Sequence, residues 1–226
     1  MTSDVRHAAR TALWAGIAGP VLFIVVFLVE GVIREGYDPV RLQVSYLSLG
    51  EGGWVQVLSF LVSGALILVF AGALRGVLEG GPGAVTGTLG VALAGAGLVI
   101  AGVFSTMPAF GWPPGTPDGF PSDIPPTGYL HVLGALCFFG GMILAPAALA
   151  RRFWRERSVG WTVYCLATAV VVFVFQGAAS SDPSGHPLYP DAVGLFQRIA
   201  IVAGLAWIAL LAARCLRSDT QESRPA

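Results

Sequence analysis

Arg198 lies about two turns into the last apolar run of this 226-residue chain, where an ionised side chain costs about 2.5 to 3.5 kcal/mol unless it finds a partner. Glu30 closes the first apolar run at the same end, and Asp182 and Asp191 flank the loop that precedes Arg198. Two chemistries suit that arrangement. Arg198 could pair with a carboxylate and lock helices together near the membrane boundary, or it could help bind an anionic headgroup or small anion. His131 opens the fourth apolar run, and His186 stands beside Asp182. Together with Glu30 these residues carry imidazole and carboxylate groups that can ligate zinc or act as acid and base, but no HxxxH or CxxC spacing gathers them. A helix-entry histidine bonded to a neighbouring loop is the plainer expectation.

Gln56, Ser59, Ser63, Thr86, Thr88, Thr168, Gln176 and Gln197 complete the polar set within the apolar runs. Most read as interhelical hydrogen bonds worth about 0.6 kcal/mol each, with Gln176 the candidate floor of a pocket. The candidate polar pocket is therefore Glu30, Gln56, His131, Gln176, Asp182, His186, Gln197 and Arg198. No acid or lysine sits near the middle of a run, which argues against a carboxylate proton relay. A single histidine within the runs disfavours a haem held by two histidines, and neither a GxSxG elbow nor a P-loop is present. No catalytic residue, metal site or cofactor is assigned on these grounds. Cys137, Cys165 and Cys215 fall in apolar surroundings and read as small packing residues, with no disulfide framework.

The elements that must position these residues are membrane spans. The chain is 55% hydrophobic and 12% charged, against about 25% charged in soluble domains, and its mean hydropathy is +0.73. Six runs reach the roughly 20 apolar residues a spanning helix needs: 11–33, 54–77, 84–105, 127–150, 159–180 and 192–216. The first is too long for a cleaved signal and reads as a retained anchor. Pro20 and Pro146 fall inside spans, where neighbouring helices can re-satisfy the freed carbonyls. The formal charge of zero offers no basic surface for nucleic acid.

Arginine placement predicts the orientation. Arg6, Arg10, Arg75, Arg151, Arg152, Arg155, Arg157, Arg214, Arg217 and Arg224 fall at one end of the spans, against Arg34 and Arg41 at the other, which puts both termini in the cytoplasm. The opposite face is acidic and has the longer loops. One of them, 104–129, carries seven prolines (Pro108, Pro113, Pro114, Pro117, Pro121, Pro125 and Pro126) and cannot be a helix, so it roofs any vestibule there. At the arginine-rich end, RRFWRER reads as a short loop meeting anionic headgroups.

The third span repeats small residues at spacings of four (Gly83 and Gly87, Gly90 and Ala94, Ala92 and Ala96), which favours close helix contact. It is expected at the bundle's centre, or alternatively at a seam between copies of the chain. GWVQVLSFLV from Gly53 resembles GLFQRIAIVA from Gly194, with Gly53 matching Gly194 and Gln56 matching Gln197, and FSTMP echoes ASSDP. Such matches suit a bundle of related hairpins.

SYLSLGEGGWVQVLSFLVSGALILVFAGALR from Ser45, AGVFSTMPAFGWPPG from Ala101, TGYLH at the fourth span and GLFQRIAIVAGLAWIALLAARCLR from Gly194 together resemble the bacterial membrane proteins called domain of unknown function 998. The likeness runs from the first span to about Arg217. It implies an integral membrane protein of about six helices with no established activity. It also implies an acid in a Phe-x-x-Asp-Pro pattern after the third span, where this chain has Met107 before Pro108; Asp182 and Pro183 keep the pair elsewhere.

The expected architecture is all-α: a tail at 1–10, a six-helix transmembrane domain over 11–217 and a disordered tail at 218–226, in a bacterial plasma membrane. The leading functional expectation is a non-enzymatic protein that binds or moves a small polar or lipid-like ligand through an outward-facing vestibule. The alternatives are an outer-face enzyme using His131, His186 and Asp182, and an assembly partner packing through the third helix.

Overall fold

Within lipid a chain can satisfy its backbone groups only internally, so each apolar run folds as a helix. In the computed structural model, which describes residues 3–121, 123–180 and 186–222, these are α1 (Ser3–Ile33), α2 (Gly53–Val77), α3 (Ala84–Val103), α4 (Pro126–Arg155), α5 (Val159–Ala178) and α6 (Val193–Glu222). All six are long and apolar enough to cross a membrane. The protein is thus an all-helical, multi-pass membrane protein.

The helices form a ring in chain order, each packed on its sequence neighbours, with α6 closing against α1. α1 and α6 run antiparallel: Gly16 lies beside Ala212 at one end, and Gly31 beside Arg198 at the other. Aromatic rings fill the middle, where Phe23 of α1 meets Phe60 of α2 (5.1 Å between centroids) and Phe138 of α4 (6.3 Å). Trp207 of α6 is fully buried and its indole N–H donates to Cys165 Sγ of α5 at 3.3 Å. Cys165 and Cys215 are buried, Cys137 is half-buried, and none is in a disulfide. α5 shows lipid a broad apolar face through Val163, Leu166, Val170 and Phe173.

α3 is a member of the ring and not its centre. Its small residues are spent on two neighbours. A Cβ added at Gly95 would strike α2 at Gly64, and one added at Gly90 or Gly97 would strike the α4 backbone at Ala145 or Phe138. Gly134 and Gly141 of α4 return the contact against Gly97 and Gly90. Close backbone approach of this kind supplies the dispersion contact that holds helices together in lipid. What α3 leaves facing outward is Val85, Thr86, Leu89, Leu93 and Val103, so contact between copies through this helix would fall on those side chains.

Three helices run past their apolar segments. α1 begins at Ser3, α6 continues to Glu222 where a disordered tail was expected from 218, and α4 continues through Arg151–Arg155, so most of RRFWRER is the last turn of a helix where a loop was expected. Pro126 opens α4 at its first turn, where a missing N–H costs nothing, and Pro20 and Pro146 are buried inside continuous helices.

Candidate functional site

The connection from α1 to α2 does not hang free. After Ile33 it turns back across the end of the ring and forms a short 3-10 helix at Val44–Ser48 with every residue buried, before α2 begins. The bundle can accept this polar backbone only because side chains meet its carbonyls. Arg198 reaches in from α6 to meet two of them. Its Nη1 donates to the carbonyls of Pro39 (2.6 Å), Leu42 (2.8 Å) and Gly194 (3.1 Å), and its Nη2 to the Tyr37 hydroxyl (2.6 Å). The guanidinium also lies 5.8 Å from the Phe27 ring centroid and 5.6 Å from that of Tyr37. The Tyr37 hydroxyl shares its proton between the carbonyls of Gln43 (2.9 Å) and Leu42 (3.1 Å). Burial pushes the Tyr37 phenol up, with the charge and hydrogen bond of Arg198 pulling the other way.

This corrects the expected role of Arg198. Among the described residues its partners are carbonyls and a phenol, not a carboxylate. Glu30 instead pairs with Arg34 one turn later (3.1 Å), and Arg34 donates to the carbonyls of Leu49 (2.5 Å) and Leu47 (3.4 Å). Gln197 accepts the Val44 backbone N–H at 2.8 Å, and Gln43 donates from its side-chain amide to the Ala179 carbonyl at 3.0 Å. Gln197 and Arg198, neighbours in the chain, thus bond the α1–α2 segment directly, and Glu30 bears on it through Arg34.

The other candidate residues lie apart from this group. His131 donates from Nδ1 to the carbonyls of Phe104 (2.8 Å) and Ala101 (3.2 Å), closing the end of α3. Gln56 is wholly buried with neither end of its amide bonded among the described residues, and Gln176 is half-buried with its carbonyl oxygen unpaired among them. His186 is exposed, and Asp182 lies outside the described residues. No three His, Cys, Asp or Glu side chains among the described residues come close enough to hold a metal ion.

Three side chains that hold the segment in place were outside the expected site: Arg34, Tyr37 and Trp112. Arg34 alone left a signal, being four residues beyond Glu30 on a helix. Trp112 ties the proline loop to residues 37–49, which plug this end of the ring, since its indole N–H donates to the Tyr46 carbonyl (2.8 Å) and its ring meets Tyr37 edge-on at 5.3 Å, with the Arg34 guanidinium 5.6 Å from its centroid. The proline loop is clamped onto the α1–α2 segment. Met107, in the place of an expected acid, is buried with its thioether over Gly128 of α4, in a setting built for an apolar group.

Above the plug is an open cleft of about 240 Å³, lined by Asp38, Arg41, Gln43 and Tyr46 of the α1–α2 segment, Phe110 and Phe120 of the proline loop, and Pro187 and Pro190 before α6. Burial pushes the Tyr46 phenol well above its ordinary value, so this wall stays neutral. None of the candidate residues that the structure describes lines it.

The family described as "Protein of unknown function (DUF998)" matches residues 17–214, from within α1 to within α6. The chain belongs to this family. The resemblance carried by SYLSLGEGGW and GLFQRIAIVA is therefore a family relationship; the first of these stretches of the DUF998 chain runs from within the plug to the start of α2, and the second is the part of α6 on which the plug rests. Gly53 lies where a Cβ would collide with the Ser48 carbonyl, and Gly194 where one would collide with that of Leu42. No curated protein and no solved structure matches the chain.

Proposed function

We propose that this membrane protein binds a small polar or lipid-headgroup ligand, without covalent chemistry, in the cleft between the plug and the proline loop, and that this end of the bundle faces the cell exterior of a bacterial plasma membrane. The cleft carries the reading: it is concave, mixes charged groups with rings, and rests on a floor held by about a dozen hydrogen bonds and ring contacts, the preorganised kind of surface small-ligand sites use. Its volume falls below the roughly 300 to 1,000 Å³ usual for drug-sized ligands, which suits a headgroup or a small solute. The excess of arginine at the other end supports the orientation.

The test is native mass spectrometry of the whole chain purified from its own membranes, beside an Asp38→Ala, Arg41→Ala double variant. The co-purifying small molecule should be depleted at least about ten-fold in the variant, the loss of about 1.4 kcal/mol of binding. Equal ligand load in both proteins would remove the cleft from consideration. For orientation, a cysteine at Asp118 in a cysteine-free background should react with an impermeant maleimide on intact cells, and one at Arg155 should not.

A further inference from the structure

We infer that the cleft accepts a quaternary ammonium group, with an attached anionic group directed to Arg41; the inference rests on reading the cleft as a ligand site. Three of its walls are aromatic. The rings of Tyr46 and Phe110 stand nearly perpendicular, 85° apart with centroids 6.3 Å from each other, and Phe120 continues the wall at 6.1 Å and 43° from Phe110. Rings set at such angles and spacings form adjacent sides of a box, and the negative faces of aromatic rings attract a cation that has already lost its water.

The box is built by backbone geometry, at some cost. Phe110 has φ +54, a left-handed conformation that a bulky side chain rarely adopts. It is held there by its own N–H on the Gly119 carbonyl (2.9 Å) and by the paired backbone bonds between Ala109 and Trp112 (3.1 and 3.0 Å). Strain of this kind persists where the surroundings over-determine it, and it gathers at ligand sites.

The polar lining separates a quaternary from a primary ammonium. A primary ammonium brings three N–H donors that need acceptors once buried, whereas a quaternary one brings none. Asp38 supplies negative charge, but its Oδ1 already accepts the backbone N–H groups of Val40 (2.9 Å) and Arg41 (3.4 Å), and the faces of the three rings offer a buried N–H no oxygen acceptor. Rings and one carboxylate satisfy a charge without donors better than a charge with three. Arg41 pairs only loosely with Asp191, at 3.9 Å with both side chains mostly exposed, so an incoming phosphate can displace that carboxylate at little cost. A phosphocholine-type group carries both charges, and it occurs both as a free solute and as a lipid headgroup.

The whole chain, purified in maltoside, is titrated calorimetrically with phosphocholine, choline, phosphoethanolamine and ethanolamine. Phosphocholine should bind at least about ten-fold more tightly than phosphoethanolamine, equivalent to about 1.4 kcal/mol. Phe120→Leu should abolish that preference, and since Phe120 is 40% exposed the variant should melt at the wild-type temperature without ligand. Arg41→Gln should reduce phosphocholine to the affinity of choline and leave choline unchanged. Nanodiscs of phosphatidylcholine or phosphatidylglycerol form the second arm: saturation by soluble phosphocholine identifies a solute, selective retention of phosphatidylcholine alone identifies a lipid, and either upholds the chemistry. Equal affinity for choline and ethanolamine compounds in the titration together with no selective retention of phosphatidylcholine in the nanodiscs, or a preference untouched by Phe120→Leu, overturns it. If the ligand load sensitive to Asp38 and Arg41 survives that result, the cleft remains a site for another class; if that load is also absent, both readings fall together.

Discussion

At the short-loop end of the ring, Arg152 reaches from α4 to the carbonyls of Leu78 (2.9 Å) and Gly80 (2.8 Å), pairs with Glu156 at 2.8 Å, and remains half-exposed. Arg214 beside it stacks on Phe153 and Trp161 at 5.0 and 5.1 Å. At the long-loop end Arg198 also gathers carbonyls from a connecting segment, but it is 8% exposed and its neighbours are backbone and rings. The same residue type thus does two jobs. Where water reaches, the arginine trims a helix end that water could equally solvate. Where it does not, the arginine is what allows a stretch of polar backbone to lie within the bundle, because each carbonyl left unpaired there would cost about 1 to 3 kcal/mol.

The largest effect should therefore come from Arg198→Met, which keeps the stem and removes the donors: a loss of about 3 kcal/mol, read as thermal unfolding in detergent. Gly194→Ala should follow, at about 2 kcal/mol, because the added methyl collides with the Leu42 carbonyl and must push the plug outward. The two glutamines in matching register sharpen the contrast. Gln197→Leu leaves the buried Val44 N–H without its acceptor and should cost about 1.5 kcal/mol, whereas Gln56→Leu removes an amide bonded to nothing among the described residues and should be neutral or stabilising by up to about 1 kcal/mol. Arg152→Gln, at the wet end, should cost less than about 1 kcal/mol. A loss at Arg152 equal to that at Arg198 would erase the distinction between the ends.

The spans were legible because hydropathy reports contact with lipid, which the bilayer's thickness makes long and continuous. The same signal misjudged helix ends: Arg151 to Arg155 are too polar for lipid yet continue α4, since leaving the membrane does not oblige a helix to stop. Arg198 stood out by its cost, but its partners did not, because every residue carries a carbonyl and composition cannot say which three will gather. The small residues of α3 announced close packing without saying that both faces would be consumed by α2 and α4. The cleft was least legible of all, since Asp38, Tyr46, Phe110 and Pro190 are brought together from separate loops. The repeated glycine and glutamine at the starts of α2 and α6 pointed nearest to it, marking both places where the plug's backbone presses on a helix.

The central claim, that Arg198 holds residues 37–49 across the long-loop end, is tested most directly by hydrogen exchange of the wild type and Arg198→Met under conditions where both remain folded. The account predicts that amides of Leu42 and Val44 are protected in the wild type and exchange at least about ten-fold faster in the variant, with residues 78–83 unchanged. Equal protection of 37–49 in both proteins would contradict it.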